Sequence, residues 1–343
     1  MHSPWQDPEV TAQGRLPAAA SLPRPKNKVI PLERCWKFKL YTHPDKVPSK
    51  WPLIDTKTWF DVQVPHLWTM DPRFSSDNPI YTNVVMPFRH EPPNLPSFNP
   101  TGVYRRTINM PKNWSDERIV IHIGGVESFF FLYCNGQRVG YAKDSKLPSE
   151  FTLNDYLKTG TNELALQVIK FCDASYIEDQ DQWWHAGIHR SVYLYRTPKV
   201  FVQDVFIKSD FDPVSSDGNL KAKVRLGGDD RSTMNHTIEA QLISPSGKAL
   251  GKQKASSINR NHFNHVTGKG PVVDLTVPHR KVRPWTAETP QLYELELSLK
   301  NEINDVLETF KFKGGFRKDR NKKPRTAGKR RRHYYSRRQQ TRS

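Results

Sequence analysis

The run Ile119-Val120-Ile121-His122-Ile123-Gly124-Gly125 puts three isoleucines on one side of an extended chain and stops it with two glycines. That two-residue period belongs to a strand, because a helix would need apolar residues three and four apart. A few residues on, Phe129-Phe130-Phe131-Leu132-Tyr133 leads into Asn135-Gly136, and Arg138-Val139-Gly140-Tyr141 returns. Asn-Gly is the pair that accepts positive φ at both central positions of a two-residue turn, so the segment predicts a β-hairpin.

The same grammar extends in both directions. Leu164, Leu166 and Val168 alternate after the Thr159-Gly160-Thr161-Asn162 turn, and no long amphipathic helix competes between Trp36 and Thr197. Antiparallel strands at this spacing predict a sandwich or jelly roll. A composition shift near Pro198 opens a second all-β stretch. Its expected strands are Val202 to Ile207, Leu220 to Leu226, His236 to Ile243, Val272 to Val277 and Leu292 to Leu299, separated by Asp217-Gly218-Asn219 and Pro245-Ser246-Gly247. About 110 residues of this kind suit one immunoglobulin-like sandwich. The expected organisation is an all-β chain with disordered ends: an extended arm over 1–28, a jelly-roll (galactose-binding-like) sandwich over 29–199, an immunoglobulin-like β-sandwich over 200–313 and a basic tail over 314–343.

The formal net charge of +18 suggests a nucleic-acid partner until its distribution is examined. From Arg317 to Ser343 thirteen Lys or Arg face the single Asp319, a net +12, which leaves +6 for the first 316 residues. The body is only mildly basic, so no general phosphate-binding surface is implied. Cys35, Cys134 and Cys172 are odd in number and far apart, without metal-ligand spacing or a disulfide framework. Met1 to Pro23 lacks the pattern of a signal peptide, and no stretch approaches the roughly 20 apolar residues of a membrane span. A soluble, cytoplasmic protein with no membrane partner is expected.

Four segments together resemble the β-galactosidase branch of the family-2 glycoside hydrolases. They are Pro79-Ile80-Tyr81-Thr82-Asn83-Val84; Asn99-Pro100-Thr101-Gly102-Val103-Tyr104-Arg105; Asp173-Ala174-Ser175-Tyr176-Ile177-Glu178-Asp179-Gln180-Asp181-Gln182-Trp183-Trp184 with Ala186-Gly187-Ile188-His189-Arg190; and Pro284-Trp285-Thr286-Ala287-Glu288-Thr289-Pro290-Gln291-Leu292-Tyr293. The resemblance runs in order over about residues 28 to 317. Two positions depart from it: Arg34 stands where the family usually has Gly, and Gly314 where it usually has Val. The first predicts strain in the turn before Trp36, since Arg tolerates positive φ less well than Gly.

The residues from Glu178 to Trp184 combine three carboxylates with two indoles. Aromatic faces stack on a pyranose while carboxylates accept its hydroxyl hydrogens, so the segment suits a sugar-facing edge; a solvated acidic turn beside a core tryptophan has the same composition. The resemblance favours the sugar. It implies that Asp181 faces a β-galactoside and helps hold a sodium ion, and that Asn83 reaches the same site from a neighbouring loop. It places the remaining sodium ligands, the magnesium site and both catalytic glutamates on a barrel that no part of this chain matches, so no catalytic residue is assigned and no cofactor is firmly expected here. His185 and His189 have the i, i+4 spacing of paired metal ligands, but Gly187 between them argues against the necessary helix.

The tail bears on the same question. Regrouping permitted codons from Lys318 onward, taking the last two bases of each with the first of the next, allows a sequence resembling the family's lead-in to its barrel. Residues 318–343 are therefore expected to be translated out of frame, and +12 of the charge with them. The expected function is hydrolysis of terminal β-D-galactosides such as lactose by the full-length form, with this chain supplying sugar-site and scaffold domains and inactive alone, and capable of association through the surface that the barrel would cover. A stand-alone carbohydrate-binding or interaction module, and a basic-tailed nucleic-acid binder, are the competing readings.

Overall fold

The computed structural model describes residues 3–19, 22–83, 85–228, 235–256 and 271–318. Val84 and most of the basic tail, with the frame expectation attached to it, lie outside the described residues.

Hydrogen bonding arranges the first half as two large facing sheets and a small third one of three two-residue strands, His66–Leu67, Gly187–Ile188 and Val126–Glu127. One large sheet has seven antiparallel strands in the spatial order Ala12–Gln13, Gln137–Ala142, Phe129–Cys134, Gly160–Ile169, Thr101–Met110, Trp36–Tyr41 and Phe60–Val62. The other large sheet has four, in the order Ser149–Thr152, Arg118–Ile123, Val192–Thr197 and Val29–Pro31. The predicted hairpin is present: Gln137 pairs with Cys134 across Asn135 and Gly136, whose φ angles are 51° and 80°. Ile121 and Ile123 from one sheet meet Leu164, Leu166 and Val168 from the other in one core, with Trp36, Phe38, Trp68 and Tyr104 wholly buried among them. Truncating an aromatic residue in such a place costs roughly 3–5 kcal/mol. A glycine at position 102 is required there, because a Cβ would come within 2.7 Å of both the Phe38 and Trp68 rings.

The second half is also a sandwich. Three strands, Phe201–Phe211, Gly218–Gly227 and Val272–His279, face four, in the order Ala249–Ser256, Thr237–Ile243, Tyr293–Lys300 and Val306–Gly314. Alternate residues such as Leu220, Ala222, Val224 and Leu295, Leu297, Leu299 fill its core.

Three differences from the sequence expectations have physical causes. The amino-terminal arm lies on the first sandwich rather than apart from it: Ala12–Gln13 adds an edge strand, and Trp5 packs edge-on to Phe129 and Phe131 at 6.2 and 6.0 Å. Residues 314–317 belong to the second sandwich rather than to a tail, since Phe316 is fully buried against Tyr293 and its carbonyl accepts from Trp285 N–H at 2.7 Å. The turn before Trp36 takes its positive φ at Cys35 (63°), sparing Arg34, and is pinned by the Trp36 indole donating to Leu32 O at 2.5 Å.

Candidate functional site

The stretch from Asp173 to Trp184 leaves the long strand Gly160–Ile169 and crosses the end of the sandwich, and each part of it is tied down. At its root, Asn99 acts as a substitute strand: its amide accepts from Phe171 N–H and donates to Phe171 O, both at 2.9 Å, from a buried position. Asp173 is paired with Lys143 at 2.6 Å, with both side chains nearly excluded from solvent. The single turn Ser175–Glu178 follows. Tyr176 donates to the carbonyls of His90 and Asn94, and Glu178 accepts from the Ser145 N–H at 2.9 Å and from its hydroxyl. Glu178 is thus an anchor and not a sugar-facing group.

Beyond Glu178 the loop turns outward. Asp181 and Trp183 are exposed, whereas Trp184 is buried and donates from its indole to Thr82 Oγ1 at 3.3 Å. One tryptophan of the segment is therefore core and the other faces solvent. Trp184 also pairs its backbone with Ile80 in an antiparallel bridge, with N–H to O distances of 2.7 and 3.3 Å. That bridge brings the loop bearing Tyr81 and Asn83 against the loop bearing Asp181. The Tyr81 hydroxyl donates to Asp181 Oδ1 at 2.7 Å, and the Tyr81 and Trp183 rings lie 5.5 Å apart. The hydrogen bond to Asp181, more than its charge, holds the Tyr81 phenol above its ordinary pKa.

Asn83 is exposed two residues beyond Tyr81, with φ at 54°, a conformation Asn accepts more readily than most residues. Asn83 and Asp181 share one edge of the domain but do not bond to each other. The second oxygen of Asp181, Oδ2, has no partner among the described residues. It is a hard oxygen donor of the type that suits an alkali cation, yet no group of three or more His, Cys, Asp or Glu among the described residues could hold a metal by itself.

The two histidines are structural. His185 Nδ1 lies 3.2 Å from Thr69 Oγ1, and His189 Nε2 lies 2.6 Å from Ser145 O. They flank the short strand Gly187–Ile188, which pairs with His66–Leu67 and Val126–Glu127. Burial lowers the pKa of both rings.

Sequence reasoning missed Tyr81 as the partner of Asp181, and Asn99, Tyr176 and Glu178 as supports. The signal was in the motifs already quoted, but side-chain pairing between segments a hundred residues apart leaves no local trace.

Comparison with known proteins agrees with this architecture. Residues 30–198 match "Glycosyl hydrolases family 2, sugar binding domain", and residues 200–317 match "Glycosyl hydrolases family 2". A β-galactosidase of Photobacterium profundum is 38% identical over 290 residues, covering 82% of this chain and 27% of its own length. One from Psychromonas ingrahamii is 32% identical over 333 residues, covering 91% of this chain and 31% of its own length. The chain therefore spans under a third of these relatives. Among solved structures, the β-glucuronidase of Bacteroides uniformis superposes with a TM-score of 0.65 at 20% identity, over 84% of this chain and 32% of its own, a likeness of fold. No helix among the described residues is long and apolar enough to cross a membrane.

Proposed function

The chain belongs to the glycosyl hydrolases of family 2, and from that premise we propose that it forms the sugar-facing and scaffold portion of a β-galactosidase, which hydrolyses terminal β-D-galactosides such as lactose. The observation that supports this most is the Tyr81–Asp181 bond, which sets an exposed carboxylate beside an exposed indole on a buttressed edge, in a chain whose relatives at 38% and 32% identity are β-galactosidases.

Each residue has a definable task. Asp181 accepts hydrogens from galactose hydroxyls; Asn83 can donate to one hydroxyl and accept from another; Trp183 offers an apolar face to the ring. Asp181 would also contribute one ligand of a sodium ion whose other ligands, like the magnesium site, lie outside this chain. Such an ion would offset the carboxylate's charge and polarise a bound hydroxyl. Hydrolysis with retention needs a proton donor and a nucleophile about 5–5.5 Å apart. We assign neither to this chain, so positioning, and not bond cleavage, is its part of the reaction.

The proposed setting is the cytoplasm, without a nucleic-acid or membrane partner. Tyr81, Val85 and Trp183 are 50%, 64% and 53% exposed, and we propose that this apolar edge is covered by the remainder of the enzyme, or by a second copy of the chain when that remainder is missing. The basic tail is proposed to be the product of a shifted reading frame, which the nucleotide sequence downstream of the Arg317 codon decides.

The experiment joins residues 1–317 to the catalytic remainder of the Photobacterium profundum relative and compares it with the 343-residue chain. Lactose turnover by the joined protein, and none by the chain alone, supports the reading. Turnover by the chain alone that a carboxylate substitution within residues 1–316 abolishes contradicts it.

A further inference from the structure

The segment between the amino-terminal arm and the first long strand touches both sandwiches within ten residues. Leu22 packs against the core of the second sandwich. Arg24 lies with its guanidinium 3.9 Å from the ring centre of Tyr195 in the first sandwich, while its Nη1 is 3.6 Å from Glu308 Oε1 in the second. Lys28 Nζ donates to Leu307 O, again in the second, at 3.2 Å. Val29–Pro31 then joins the first sandwich by pairing with Val192–Thr197.

We propose that residues 22–31 are a strap that fixes the angle between the two sandwiches, with Arg24 as its clasp. After the strap the chain crosses from the first sandwich to the second by the short link between Thr197 and Phe201, and such a link alone leaves a hinge free to turn. Arg24 removes that freedom by serving both sides at once. Its planar cation stacks on Tyr195, whose hydroxyl is itself held by Glu150 at 2.9 Å. The same guanidinium neutralises Glu308, whose side chain is 2% exposed and whose Oε2 accepts from Val202 N–H at 2.8 Å. A carboxylate so buried needs a cation, and burial raises its pKa even with Arg24, Lys28 and Arg118 nearby. Arg118 adds a second contact across the junction, with its guanidinium 4.2 Å from the ring centre of Phe201.

The strap matters because the edge bearing Tyr81 and Asp181 sits on the first sandwich, whereas the described chain leaves from the second at Lys318. The angle between them determines where that edge lies relative to whatever follows residue 318.

The test is a distance distribution between spin labels on cysteines placed at exposed Ser76 and Ser246, in the 343-residue chain with Cys35→Ser, with and without Arg24→Ala. A narrow distribution that broadens about twofold or more in Arg24→Ala, with the β signal in circular dichroism unchanged, supports the strap. Equal widths in the two proteins, or a broad distribution already in the parent, overturns it. If Arg24→Ala does not fold, Arg24→Gln is read in the same way, since it keeps much of the side-chain length and removes the charge and the planar cation.

Discussion

The phenol of Tyr81 donates a hydrogen bond to Asp181 Oδ1 at 2.7 Å, joining two loops that the backbone bridge between Ile80 and Trp184 has already brought side by side. Tyr81→Phe removes this bond and leaves the ring beside Trp183. In the joined enzyme, KM for lactose should rise about three- to tenfold with kcat changed less, because the carboxylate loses its orientation and not its charge. The thermal midpoint should stay within a degree or two, since the bond is at the surface. Steady-state kinetics and a melting curve on the same sample check both statements.

A second prediction concerns a buried ion pair of the first sandwich. Lys170 and Asp77 side chains are 1% and 4% exposed, and Asp77 also accepts from the Trp68 indole at 2.8 Å. Lys170→Met keeps the volume but strands a buried carboxylate, so urea denaturation should show a loss of about 3–5 kcal/mol. Adding Asp77→Asn, which removes the stranded charge and can still accept from Trp68, should restore part of it.

Two glycines should respond in opposite ways. Gly187 has φ at 130°, and a Cβ there would lie 2.2 Å from His66 O, so Gly187→Ala should cost at least about 2 kcal/mol. Gly314 ends a strand with no atom within 4 Å of a Cβ position. Gly314→Val, which brings in the residue usual in the family, should be neutral or stabilise by up to about 1 kcal/mol. Urea midpoints of the two variants measured beside the parent give the comparison.

The histidines make stability depend on pH. Burial lowers His66, His185 and His189 below the ordinary 6.5, although Asp71 pulls His66 the other way. The unfolded chain therefore binds more protons than the folded one in this range. Their contribution is complete above pH about 6.5 and is lost as pH falls through their folded values. Glu308, raised by burial, works in the opposite sense in the second sandwich. The unfolding midpoint of the first sandwich, followed by tryptophan fluorescence, should fall between pH 7 and 5.5, and His189→Gln should flatten the slope.

Much of the fold was legible because its signals are local. Asn135-Gly136 requires positive φ whatever surrounds it, and Leu164, Leu166 and Val168 announce one buried face by themselves. The strands Ala249–Ser256 and Val306–Gly314 escaped notice for opposite reasons. The first is an edge strand dominated by exposed polar residues. The second places Glu308 on its inward row beside Phe310, which breaks the apolar alternation; the Val202 N–H and the nearby cations, Arg24 first among them, make that carboxylate tolerable. The arm behaves likewise: Trp5 alone has no period, and its pocket between Phe129 and Phe131 exists only after folding. At the site, residue types indicated which groups suit a sugar, but not that Glu178 is spent on Ser145 or that Trp184 is core.

The most direct test of the proposed sugar edge is kcat/KM for lactose at several sodium concentrations in the joined enzyme, with and without Asp181→Asn. Asp181→Asn should lower it about ten- to hundredfold and raise the sodium requirement, because an anionic acceptor for sugar hydroxyls and an ion ligand are lost at once. Unchanged kcat/KM and unchanged sodium dependence in the folded variant would contradict the proposed edge.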